Sequence, residues 1–95
     1  MAKGYVIFAE KVNDADALND YVQKAVPTVM QAGGRAVVFT PTVEVVEGEW
    51  PGQTVIVEFD SVEAAKAWYN SDGYKPLIPE RQAAADCNVI ICAGV

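Results

Sequence analysis

The stretch Glu44–Phe59, EVVEGEWPGQTVIVEF, constrains the fold most. It reads as two strand-like runs, Val43–Glu47 and Gln53–Phe59, joined by the turn Gly48-Glu49-Trp50-Pro51-Gly52. A strand–helix unit precedes it and a helix–strand unit follows it. A chain patterned this way has few ways to bury its apolar side chains.

Gly4–Val12 alternates as a strand, with Tyr5, Ile7 and Ala9 on one side and Val6, Phe8 and Glu10 on the other. Asn13-Asp14 supplies a helix N-cap. Leu18, Tyr21, Val22, Ala25, Val29 and Ala32 then recur at helical spacing. Pro27 removes one hydrogen bond of that helix, which predicts a kink or a break there. Gly33-Gly34 stops the helix and Arg35–Thr40 forms a second strand. After the central stretch, Asp60 or Ser61 caps a second helix whose apolar side is Val62, Ala65, Trp68 and Tyr69. Tyr74–Ala85 carries Pro76 and Pro79, so it is helical only in pieces, with Pro79 opening a last short helix. Asn88–Ala93 closes the chain as a fourth strand.

The order is β-α-β-β-α-β, which predicts an α+β, ferredoxin-like fold: a four-stranded antiparallel sheet with two main helices on one face. The chain is expected to be a single ferredoxin-like domain over residues 1–95. The other face of that sheet then needs a cover. Four strands of about five residues give roughly 300 Å² in projection, and about twice that in accessible surface. Burying about 600 Å² of apolar surface is worth on the order of 15 kcal/mol per subunit before association costs. Apolar residues make up 52% of the chain. The expected partner is a second copy, packed sheet to sheet as a dimeric α/β barrel. A monomer roofed by Tyr74–Ala85 is the alternative, weakened by the prolines of that segment.

Composition narrows the function. Thirteen acids against seven bases give a net charge of −6, which argues against nucleic-acid and anionic-membrane partners. No apolar run is long enough to span a bilayer, and Met1-Ala2-Lys3-Gly4 lacks signal-peptide anatomy, so a cytoplasmic location is expected. Cys87 and Cys92 fall on opposite faces of the last strand and are expected to remain reduced thiols. The chain has no histidine, which excludes Ser-His-Asp and Cys-His catalysis within it and any histidine-ligated metal. No dinucleotide fingerprint, phosphate loop or metal triad is present, so no cofactor is expected.

Gly4-Tyr5, Gly33-Gly34-Arg35, Gly48-Glu49-Trp50-Pro51, Glu58-Phe59, Ala67-Trp68-Tyr69-Asn70-Ser71 with Tyr74, and Arg81 form an ordered set. From Tyr5 to Gly94 the chain resembles the domain-of-unknown-function 1330 family of the dimeric α/β-barrel superfamily. The resemblance implies a ferredoxin-like homodimer of the bacterial cytoplasm and no established reaction. The wider superfamily includes cofactor-independent monooxygenases, haem-degrading enzymes, muconolactone isomerases and ligand-sensing modules. The chain departs from the family pattern around Gly73, Pro76 and Pro79, where a more regular helix is the norm.

Six residues are candidates for chemistry. Glu58 stands in a strand of Val, Ile and Phe, where burial would raise its pKa and suit a general base. Arg35 and Arg81, the only arginines, have forks suited to a small anionic ligand; the plainer reading pairs Arg35 with Glu58 or Glu47. Tyr5 and Tyr74 offer phenol donors. Trp50 either pins its loop or forms a lid. The expected site gathers Arg35, Glu58, Tyr74 and Arg81 in one otherwise apolar cavity that binds a small organic acid. A structural or regulatory dimer without turnover is the alternative, with a cofactor-independent monooxygenase or isomerase as a further one by superfamily analogy.

Overall fold

The structure is a computed structural model and describes residues 2–95. Its strands are β1 (Gly4–Val12), β2 (Arg35–Thr40), β3 (Gln53–Phe59) and β4 (Ala85–Ala93), and its helices are α1 (Ala15–Gln31), α2 (Val62–Tyr69) and α3 (Ile78–Ala84). A short 3-10 turn, Lys75–Leu77, leads into α3. The strands form one antiparallel sheet in the order β2-β3-β1-β4, the ferredoxin-like order.

Local chemistry sets the helix ends. The Asp14 carboxylate accepts from the Ala17 amide at 3.0 Å and the Ser61 hydroxyl from the Ala64 amide at 3.0 Å. Gly33, at φ 77°, takes the left-handed position that ends α1. The Gly34 amide then bonds the Val29 carbonyl at 2.9 Å. A side chain at Gly34 would meet the Phe59 ring at 2.5 Å, so the turn also needs Gly34 small. α1 runs unbroken through Pro27, so of the expected kink or break the break does not occur. Proline costs the helix one hydrogen bond, and the buried face of Leu18, Tyr21, Ala25 and Val29 holds it together.

All helices lie on one side. Val6, Phe8, Val57 and Phe59 point into that core, around a Trp68 that is packed by Phe8, Phe59, Tyr69 and Tyr74. Trp68 donates to the Thr28 hydroxyl at 3.0 Å, which satisfies its buried N–H. α3 packs beside α1 with the Lys24–Glu80 ion pair at 2.8 Å, and Tyr74, just ahead of the 3-10 turn, meets Tyr21 through their hydroxyls at 2.6 Å. The Tyr74–Ala85 segment therefore belongs to the helix layer and is no roof for the sheet. The Cα extents, 32 × 31 × 15 Å, are those of a two-layer slab.

The open face is ordered in transverse rows. The register aligns Val38, Ile56, Ile7 and Ile90 across all four strands. One flanking row is Arg35, Glu58, Tyr5 and Cys92; the other is Thr40, Thr54, Ala9 and Asn88. The face is thus an apolar band between two mixed ones, less oily than its strand composition suggested. Ile90 remains 55% exposed.

The run Val43–Glu47 is no strand. Residues 41–52 form a loop between β2 and β3 in which Val43, Val45, Val46 and Trp50 are exposed. The alternation is present, but only β3 and not this run pairs with β2. β2 itself carries a register shift between Ala36 and Val38.

Candidate functional site

The six candidate residues divide between the two faces of the sheet. Tyr5, Glu58 and Arg35 meet on the open face. The Tyr5 hydroxyl donates to Glu58 Oε2 at 2.9 Å, and Arg35 holds Glu58 Oε1 at 2.9 Å from Nη2 and 3.1 Å from Nε. This cross-strand network matches the plainer, arginine-paired reading of Glu58 and not the general-base one. The Tyr5 hydrogen bond, then Arg35, hold its pKa below the ordinary value, so it is not the raised-pKa base. The same bond raises Tyr5. Trp50 is half exposed and its indole donates to the Thr54 hydroxyl at 2.9 Å, pinning the loop to β3.

Arg81 and Tyr74 lie on the helix side, away from Glu58. Arg81 is 1% exposed. Its Nη2 donates to the Tyr69 hydroxyl at 3.3 Å, while buried Nε and Nη1 have no partner among the described residues. Its guanidinium carbon sits 5.3 Å from the centre of the Phe8 ring. A buried guanidinium with two idle nitrogens is costly unless something supplies acceptors. Burial raises both Tyr21 and Tyr74, with Arg81 pulling each down and Glu10 pushing each up. Arg81 and Glu10 therefore act on one shared cluster of hydroxyls.

Sequence reasoning placed Glu10 on the Phe8 side of β1 but passed over it. Glu10 is 3% exposed, and accepts from Gln53 Nε2 at 2.9 Å and from the Cys87 thiol at 3.4 Å. The signal was there: alternation put an acid on the same face as Val6 and Phe8. Burial, then the Glu10 charge, pushes the Cys87 thiol up to about 11, so it remains a protonated donor.

Beside this cluster a cleft of about 340 Å³ opens between α1 and the β2–β3 side of the sheet. Its walls are apolar: Phe8, Val26, Met30, Phe39 and Val55 among them. Glu10, Tyr21 and Gln53 supply polar atoms. Arg35 borders the cleft while its guanidinium is engaged by Glu58. Arg81 is not among the residues that line the cleft, but its guanidinium carbon lies 5.3 Å from the centre of the Phe8 ring, which does. The cleft exists because nothing covers the helix-side face of β2, where Ala36 and Phe39 are exposed. Its volume lies at the lower end of the range of small-molecule sites.

The fold defines an α+β protein of the ferredoxin-like class. The chain belongs to the family described as Domain of unknown function (DUF1330), whose family model matches residues 3–95. Among solved structures, it is similar to a protein of unknown function from Rhodopseudomonas palustris, with TM-score 0.80 and 19% identity over 99% of this chain and 83% of that one. SnoaB, a cofactor-independent oxygenase from Streptomyces nogalater, matches with TM-score 0.73 and 11% identity over 100% of this chain and 95% of that one. A dimeric ferredoxin-like protein of unknown function from Thermobifida fusca matches with TM-score 0.68 and 12% identity over 98% and 92%. No curated protein matches the chain. At these identities the likeness is one of fold.

Proposed function

We propose that the protein is a homodimer, joined through the open sheet face, in which each copy binds a small organic acid between α1 and the sheet. One observation carries the acid reading: Arg81 is buried beside an apolar cleft with Nε and Nη1 unpartnered. A carboxylate is a strong charge-assisted acceptor for a guanidinium N–H, and Nε and Nη1 each have one to offer, on different edges of the group. The apolar band Val38–Ile56–Ile7–Ile90 supports the dimer, as does the dimeric neighbour from Thermobifida fusca. Free Cys87 and Cys92 fit a reducing compartment such as the cytoplasm.

A thermal-shift series of small aromatic and aliphatic acids tests the reading. Wild type is stabilised by at least one acid, and Arg81→Met loses that shift. No shift in wild type, or an equal shift in the variant, removes the proposal.

A second reading, a structural or regulatory dimer without turnover, is favoured by the Tyr5–Glu58–Arg35 network, which ties three strands together on the dimer face. It predicts that Glu58→Ala and Arg35→Ala lower stability and that no bound ligand is recovered with the protein.

A further inference from the structure

Arg81 is one of two buried charged residues of the core, and Glu10 is the other. The strand register sets Glu10 directly between Gln53 on β3 and Cys87 on β4. Both neighbours are neutral donors, one to each carboxylate oxygen. A carboxylate has about four lone-pair sites, so roughly half remain open. Among the described residues Glu10 forms no ion pair. The next row of the same face, Phe39, Val55, Phe8 and Val89, is wholly apolar. An acid here does nothing for packing that a leucine would not do better. Glu10 and Gln53 both line the cleft.

We propose that Glu10 is the acceptor end of a ligand site in this cleft, and that the ligand presents a phenol- or enol-type hydroxyl to it. The ligand's apolar body lies against Phe8, Phe39 and Val55. The inference rests on the cleft being a ligand site, as proposed above, and does not require that the ligand be an acid. Where the ligand is an acid, like-charge repulsion turns its carboxylate away from Glu10, so the fitting class is a hydroxy acid with its two groups apart.

4-Nitrophenol is the probe, because its phenolate is yellow and its neutral form is not. A carboxylate acceptor binds the neutral phenol; a guanidinium binds the phenolate. At a pH where the free probe is half ionised, wild-type protein is expected to bleach it. Glu10→Gln, which keeps the shape and removes the charge, is expected to weaken this binding by about tenfold or more. Deepened colour, unchanged colour, or equal bleaching by Glu10→Gln overturns the inference. Benzoate, which lacks the hydroxyl, separates the two proposals. Bleaching without benzoate binding leaves Glu10 in place and removes the acid reading. Benzoate binding without bleaching does the reverse.

Discussion

The Arg81 guanidinium lies 5.3 Å from the centre of the Phe8 ring, on the inner face of the sheet. The ring offers π-electron density but no acceptor for Nε or Nη1. A group kept at such cost points to a use other than stability.

Arg81→Met tests that cost in the protein without ligand. A well-packed apolar replacement for a poorly paired buried charge is often neutral or stabilising by about 1–4 kcal/mol. The expected result in chemical denaturation is unchanged or higher stability. A loss of more than about 2 kcal/mol would mark Arg81 as structural instead.

The apolar row of the open face predicts the assembly. Ile90→Asp sets a charge in its most exposed member. Light scattering is expected to give twice the 10.2 kDa chain mass for wild type and a single chain mass for the variant. Wild type at single-chain mass in micromolar solution would remove the sheet-to-sheet dimer.

Thr28 accepts from Trp68 and donates to the Ala25 carbonyl at 2.6 Å. Thr28→Val leaves the indole N–H buried and unpaired, at an expected cost of about 1–3 kcal/mol. Denaturation followed by tryptophan emission reads this directly, and a change below about 0.5 kcal/mol would show that the bond is not needed.

Stability is expected to fall at both ends of the pH scale. Glu58 titrates below its ordinary 4.5 in the folded chain, so its contribution is complete above that value and is lost as pH falls through the folded pKa. Cys87 is raised from 9.0 to about 11, so its contribution is complete below pH 9.0 and is lost as pH rises toward about 11. Tyr5, Tyr21 and Tyr74, all raised from 10.0, add to the alkaline loss above that value. Cys87→Ala should flatten the first part of the alkaline limb in a pH series of melts. Glu58→Gln should flatten the acid limb.

The strand order was legible because alternation and helical spacing are both local patterns, and Asp14, Ser61 and Gly33 punctuate them. The Arg35–Glu58 pair was also legible, since it needs only antiparallel register. Three things were not. Val43–Glu47 has strand alternation but no neighbouring strand to bond, and pairing is not written in one segment. Pro27 left a kink or a break open because the packing that holds α1 together is tertiary. The division of Arg35 and Glu58 from Arg81 and Tyr74 depends on which face of the sheet each element reaches. Glu10 was visible in the alternation of β1, but one acid in an apolar strand reads first as a strand-end residue.

The register shift at Ala36–Val38 bears on how the sheet ends. β2 is an edge strand with Val37 and Phe39 exposed, and an unpaired edge of this kind is a template for another chain's strand. The shift kinks that border and spoils its hydrogen-bond ladder. An irregular border works against lateral addition of strands and leaves the broad side of the sheet as the surface for a second copy.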